Sequence, residues 1–436
     1  LYQADGANQG GSESINLIGS GETMHKRWIQ FGSAVLAMIM IANLQYAWTL
    51  FVKPMQQATG WKLSGIQWAL TVFLFLETWI TPVEGWLIDR MGPRIFLSMG
   101  GLLCGFGWGS LGYAHSLTEL YVLYGVAGVG AAFVYSGSIA TALKWFPDMR
   151  GFASGLTTAA FGAGSALFIP MIAHMLKVGS YREAFLYTGI GQGILIILAA
   201  QVLHNPPADF HIEKTVKATK ATRVRKNAFD FSSAEMLRTP HFYMLYAAFV
   251  LTSIGGLMIT AQADPVARGL GIPAGVIVAA VSFSRIANGG GRLFWGWISD
   301  FVGREIAMFV PFVLQAFCLV GILTWGRTSS TGFSVSLFLV YFTWGSMFSL
   351  FPAVIGDFYG SKCATSNYGF LYTAKGVASV IGIGIGTMLF EKTGSWSSIF
   401  YGCAALTLLS AVLVLVVKFM PLPVKMEEPN MVPVKA

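Results

Sequence analysis

Five charged residues stand inside long apolar stretches of this 436-residue chain: Glu77, Glu84, Arg285, Arg292 and Lys375. A charge in hydrocarbon is expensive enough that each one needs a partner or a ligand. Seven residues at about 100° each make close to two turns, so Glu77 and Glu84 share one helix face, and Arg285 and Arg292 share another. Arg292 follows Asn288, Gly289, Gly290 and Gly291, where missing side chains let a backbone or ligand approach and leave the guanidinium uncovered. An arginine grips a carboxylate through two parallel hydrogen bonds. Lys375 lies among small and apolar residues, with Tyr368, Tyr372 and Ser379 on its side of a helix. The chemistry these types point to is anion binding, and a substrate with two carboxylates suits an Arg and Lys pair. The alternative for each cation is an ion pair with a glutamate that only ties helices together.

The elements that must hold these residues are membrane spans. The chain is 55% hydrophobic and only 11% charged, against about 25% charged in soluble domains, which excludes a soluble enzyme. Apolar stretches of spanning length fall near residues 28–52, 65–88, 95–114, 119–143, 152–176 and 183–203, and again near 240–262, 273–299, 304–325, 331–355, 364–390 and 395–419. The reading is an all-α integral membrane protein with twelve transmembrane helices in two six-helix halves, 28–203 and 240–420. Residues 204–239 open with HNPP and carry seven basic residues, which makes them a linker between the halves. Residues 1–27 read as a disordered tail or appended leader, without the apolar core of a signal peptide, and 421–436 as a C-terminal tail.

Of the lysines and arginines, 18 fall on the side that holds both termini and the linker, against 7 on the other. That side is expected to be cytoplasmic. The formal charge of +8 is then explained by cytoplasmic loops and anionic lipid, without nucleic acid. Four scattered cysteines and six scattered histidines offer no metal site and no disulfide framework. No nucleotide, nucleophile or zinc-protease motif is present, so no cofactor, metal or catalytic residue is expected. The glycines at 101, 105 and 109 and at 382, 384 and 386 read as helix packing.

The halves repeat each other at one constant offset of 211 residues. It pairs Pro54 with Pro265, Gly60 with Gly271, Gly85 with Gly296, Trp86 with Trp297, Asp89 with Asp300, and Gly92 with Gly303. Two pseudo-symmetric bodies around one site are a common build for alternating-access transporters. GWLIDRMGPR at 85–94 and its echo GWISDFVGRE at 296–305 resemble the loop 2/3 and loop 8/9 signature of the major facilitator superfamily. Within it, NLQYAWTLFVKP at 43–54, WFPDMRGFASG at 145–155, NGGGRLFWG at 288–296, FTWGSMFSLFP at 342–352 and NYGFLYTAKGVAS at 367–379 resemble the oxalate:formate antiporters.

That resemblance implies a secondary transporter in a bacterial cytoplasmic (inner) membrane that takes up oxalate against formate; nothing in the sequence demands a partner, so a monomer is expected to suffice. It implies that Arg292 and Lys375 bind the two ends of oxalate. It implies a lining of Gln45, Tyr46, Gln67, Tyr135, Phe161, Trp344, Phe348 and Tyr372. Phe161 and Phe348 stand where tyrosine is familiar, and Tyr372 where tryptophan is. Glu77 and Arg285 also depart, occupying positions that are uncharged and polar in the antiporters. They are expected to pair with each other or with Lys375 and Arg292, and Glu77 could instead take up protons. A proton-coupled monocarboxylate symporter of the same superfamily therefore stays open. Asp89, Arg90, Arg94, Asp300 and Arg304, at helix ends, are assigned to gating, and Glu84 to support of the loop motif. If two cations about 7 Å apart face one cavity, they repel by roughly 2 to 3 kcal/mol at an effective dielectric near 20. An anion that cancels this repulsion makes closure around cargo easier than closure when empty, which is the condition for exchange.

Overall fold

Among the described residues, twelve long helices build the molecule. In the first half they are α1 (His25–Tyr46), α2 (Leu63–Glu84), α3 (Met91–Tyr113), α4 (Leu117–Trp145), α5 (Phe152–Val178) and α6 (Tyr181–Val202). In the second they are α7 (Pro240–Gly269), α8 (Ala274–Val302), α9 (Arg304–Thr328), α10 (Ser330–Tyr359), α11 (Ser366–Thr393) and α12 (Ser397–Phe419). The computed structural model describes residues 10–146, 149–207, 224–227, 229–360 and 363–425; side chains are described from residue 25 on, except at 85, 86, 89, 90, 150, 151 and 365. No strand occurs among the described residues. Eleven of the helices are long and apolar enough to cross a membrane. The remaining one, α8, has 29 residues and a length of about 43 Å; its lower apolarity comes from Arg285, Asn288, the three glycines and Arg292.

The duplication read from the sequence is present in the packing. α1 packs on α5, α2 on α4 and α3 on α6, and their counterparts α7 on α11, α8 on α10 and α9 on α12. The halves meet through α2 with α11 and α5 with α8, two contacts that the same symmetry exchanges. Backbone conformation repeats as well. Gly60 and Gly271 have φ of 72° and 76°, and Gly92 and Gly303 have φ of 74° and 92°. These left-handed turns tolerate glycine and penalise a Cβ, which is why the repeat keeps glycine there.

Leu102, Phe106, Leu167, Leu198, Phe317 and Trp325 are exposed on the outside of the bundle, where a bilayer would solvate them. The polar exceptions lie inside. Four helices are irregular, α1 and α2 at or near their C-terminal ends and α10 and α11 near their middles. α1 breaks at Ala47 before the segment Trp48–Thr59, and α2 breaks at Ile80, where Pro82 in the first turn of the next segment has no N–H to give. α10 breaks at Gly345–Ser346, and α11 widens into a π-helical stretch, Val380–Ile385, over its glycines.

The helix that contains α1 starts at Gly10, so the expected tail is helical from that point on. Of the expected linker, residues 208–223 and 228 lie outside the described residues. Its end is fixed to the second half. Arg225 pairs with Glu305 at 2.5 Å, the Asn227 N–H donates to the Asp357 carbonyl at 2.8 Å, and the Phe231 N–H donates to the Tyr359 carbonyl at 2.9 Å.

Candidate functional site

Glu77 on α2, Arg285 and Arg292 on α8, and Lys375 on α11 converge between the halves, each at most 1% exposed. Close helix crossings make this possible. A Cβ on Gly289 would lie 2.8 Å from the Ala159 carbonyl oxygen of α5, and one on Gly376 would lie 2.5 Å from the Thr78 hydroxyl of α2. Glycine at these two places lets α5 meet α8 beside Arg292 and α2 meet α11 beside Lys375.

Lys375 is fully engaged. Its Nζ donates to both Glu77 carboxylate oxygens at 2.8 and 3.1 Å, to Gln45 Oε1 at 3.0 Å and to the Tyr372 hydroxyl at 3.1 Å. An ammonium has three N–H donors, and all are taken by these acceptors. The arginines contrast with it. Arg292 donates from Nε to Asn288 Oδ1 at 3.2 Å and from Nη2 to the Tyr46 hydroxyl at 3.3 Å, and its Nη1 has no acceptor. Arg285 donates from Nη2 to the Tyr46 carbonyl at 3.3 Å, while its Nε and Nη1 have none. Among the described residues neither arginine meets a carboxylate.

Aromatic rings enclose the cations. The Arg285 guanidinium lies 4.1 Å from the Tyr341 ring centre and 4.8 Å from that of Tyr46. Arg292 lies 4.3 Å from Phe348 and 5.6 Å from Phe161, and Lys375 lies 5.8 Å from Phe161, 5.9 Å from Phe348 and 5.2 Å from Tyr372. Tyr135 stacks on Tyr372 with centroids 5.6 Å apart, and Trp344 sets its ring against Tyr46 and Phe348. Ring faces attract cations without supplying a counter-charge, so the positive charge stays uncancelled.

The structure thus brings together Arg292, Lys375, Gln45, Tyr46, Tyr135, Phe161, Trp344, Phe348 and Tyr372, along with Glu77 and Arg285. The question of which cation Glu77 pairs with is answered by Lys375. Gln67 has both polar ends engaged within the protein. Its Oε1 accepts from Trp48 Nε1 at 3.0 Å and its Nε2 donates to the Ala261 carbonyl at 2.9 Å, so both ends are occupied in joining α2 to α7, ten residues from Glu77 along α2. Polarity inside a span marks a residue that needs a partner without saying that the partner is a ligand. Two residues in the cluster were not assigned from sequence: Asn288, inside the quoted glycine stretch, and Tyr341, one turn before Trp344.

Among the expected gating residues, the Asp89 and Arg90 side chains lie outside the described residues, and Arg94 is exposed. Arg304 pairs with Asp300 at 2.7 Å and with Asp357 at 2.8 Å, and Lys226 approaches Asp357 at 3.8 Å. Glu84, expected to support the loop motif, accepts a hydrogen bond from Ser136 on α4. No group of three or more metal-binding side chains occurs among the described residues.

A buried centre with two bodies around it and donors without acceptors is a place for an anion. The model of the Major Facilitator Superfamily matches residues 33–383. The chain is 39% identical to the oxalate:formate antiporter of Oxalobacter formigenes, over 89% of each chain. It is 25% identical to the uncharacterized MFS-type transporter YhjX of Escherichia coli, over 81% of this chain and 86% of the other. It is 22% identical to monocarboxylate transporter 13 of Rattus norvegicus, over 87% and 86%. The named relatives are transporters and not enzymes, and with them this chain belongs to the Major Facilitator Superfamily, within the family of the oxalate:formate antiporters.

Proposed function

We propose that the protein exchanges small carboxylates, oxalate inward for formate outward, by alternating access of the two halves around the central cluster. The observation that supports this most is the charge count of that cluster. Three cationic side chains face one carboxylate, and the Glu77–Lys375 pair contributes no net charge whichever of the two holds the proton. Two positive charges are left over in a site shielded from water, where an uncompensated charge is costly. A dianion cancels both. Closure around cargo is then easier than closure around bare cations, which favours crossing in the loaded state.

In this reading Gln45 and Tyr46 orient the anion, and Tyr135, Phe161, Trp344, Phe348 and Tyr372 wall it off from water. Asp89, Arg90, Arg94, Asp300 and Arg304 act at the end of the bundle that holds the linker. That end faces the cytoplasm together with both termini, in the inner membrane of a bacterial cell, and the working unit is the monomer. Residues 28–203 and 240–420 are the two moving bodies, and 204–239 is the tether between them.

The test is uptake of labelled oxalate into proteoliposomes loaded with formate, with oxalate or with buffer alone. Exchange predicts uptake only into anion-loaded vesicles. Equal uptake into buffer-loaded vesicles refutes it. A second reading has one observation in its favour: the buried Glu77 carboxylate beside Lys375 is the kind of group through which a symporter couples a carboxylate to a proton. Symport predicts uptake into empty vesicles driven by an inward proton gradient, and a loss of that pH response in Glu77→Gln.

A further inference from the structure

Resemblance puts the two anion clamps at Arg292 and Lys375, yet the geometry gives Lys375 no donor to spare. All three of its N–H groups are directed among Glu77, Gln45 and Tyr372 at 2.8 to 3.1 Å. A substrate carboxylate could reach it only by displacing Gln45, Tyr372 or Glu77, and Glu77 already supplies the same chemical group, tethered and therefore at no cost in translational entropy. Arg285 is the opposite case. It is fully buried, its guanidinium lies over the Tyr46 and Tyr341 rings at 4.8 and 4.1 Å from their centres, and it leaves Nε and Nη1 without acceptors. The Tyr341 ring is itself fixed, since its hydroxyl donates to Thr260 Oγ1 at 2.9 Å.

We infer that Arg285, with Arg292, forms the anion clamp of this chain, and that Glu77 serves as a permanent built-in counter-ion for Lys375. The inference rests on the carboxylate-exchange reading above. It explains why Glu77 and Arg285 depart together from the antiporter pattern. Adding a glutamate alone would lower the charge of the centre by one, and adding an arginine alone would raise it by one. Adding both keeps two uncancelled positive charges and moves one of them from α11 to α8. The ligand class is a small dianionic carboxylate gripped by two planar forks, where the resemblance implies one fork and one point charge. Tyr46 stands between the forks, with its ring under Arg285 and its hydroxyl bonded to Arg292 Nη2.

The test is a charge-pair cycle on the full chain. Wild type, Arg285→Gln, Arg285→Lys, Lys375→Met and Lys375→Met/Glu77→Gln are purified and checked for helicity and a monodisperse elution profile. They are then compared by oxalate counterflow in proteoliposomes and by stabilisation against heat on adding oxalate. Arg285→Gln is expected to weaken oxalate binding by about 100-fold, with Arg285→Lys recovering part of it. Lys375→Met leaves the Glu77 carboxylate buried and unpaired, so it should be weak in both assays. The double variant should exchange at least about tenfold faster than Lys375→Met alone, because both halves of the ion pair leave together.

A double variant no better than Lys375→Met, with Arg285→Gln within about threefold of wild type, overturns the inference and returns the clamp to Lys375. If Arg285→Gln does not fold, Arg285→Lys decides. A KM raised at unchanged kcat supports a ligand contact, and wild-type KM overturns it. A wild type that exchanges no carboxylate removes the exchange reading and the inference with it, a result distinct from an active wild type matched by Arg285→Gln.

Discussion

The centre of the protein and the end that holds the linker use the same side chains in opposite ways. At the linker end Arg225, Lys226 and Arg304 stand against Glu305, Asp357 and Asp300, so each cation has a carboxylate within 3.8 Å. In the centre Lys375 alone has one, and Arg285 and Arg292 rest on ring faces with donors left over. The burial runs the wrong way for stability. Arg304 and Asp357 side chains are 13% and 11% exposed, whereas the central cations are sealed at no more than 1%. Water can therefore help where the charges already match and cannot help where they do not. A matched network near the surface needs no ligand and suits a latch between helices. An unmatched one in the middle of a bilayer protein leaves the charge that the proposed dianion would cancel.

The sharpest way to break that contrast is to remove a central cation. Arg292→Gln is expected to lower oxalate exchange by at least about 100-fold, since loss of a buried charged partner is worth roughly 2 to 5 kcal/mol. Because an uncompensated cation is also removed, the variant should melt no lower than wild type without substrate. Counterflow rates and melting curves with and without oxalate check both statements. An exchange rate within about threefold of wild type would place the substrate elsewhere.

The charges in this centre were readable in the sequence because a Glu, Arg or Lys inside an apolar stretch stands out, and the repeat at an offset of 211 was readable because turns with positive φ demand glycine at both copies. The pairing was not. Whether Glu77 meets Lys375 or an arginine depends on how α2 crosses α11, which is set by the fit of Gly376 against Thr78, and no spacing along one helix contains that information. Gln67 shows the same limit, since its helix face could be read but not which helix lies across from it. The irregular site at Ala47 carries no helix breaker and could not be read locally, whereas the one at Ile80 was signalled by Pro82 two residues on.

The matched end can be unbalanced in turn. Asp357→Asn takes the carboxylate from Arg304 and Lys226, in a place where partial exposure limits the loss to about 1 to 2 kcal/mol. Exchange should change by about three- to tenfold in rate with the KM for oxalate unchanged, because no ligand contact is touched. A raised KM would show that this network reaches the centre and would blur the contrast. Gln67→Leu is expected to do less to transport. It removes the bond to the Ala261 carbonyl that links the halves and leaves Trp48 Nε1 unpaired. Melting should fall by a few degrees, and oxalate affinity should stay within about twofold, as judged by the oxalate-dependent melting shift.

The smallest expected effect asks whether neutral donors matter beside the cations. Phe348 presents its ring to Arg292 at 4.3 Å and to Lys375 at 5.9 Å, at a position where the antiporter pattern has tyrosine. Phe348→Tyr keeps the ring face on Arg292 and adds one hydroxyl donor at the ring edge. A neutral hydrogen bond is worth about 0.5 to 1.5 kcal/mol net, and fitting the extra oxygen into a closed wall takes back part of that. The KM for oxalate should therefore shift by no more than about fivefold in either direction, measured by concentration dependence of counterflow. A shift above tenfold would mean that the wall discriminates between anions as strongly as the two arginines attract them. A shift within the expected range leaves the recognition of the dianion with the uncancelled charges on α8.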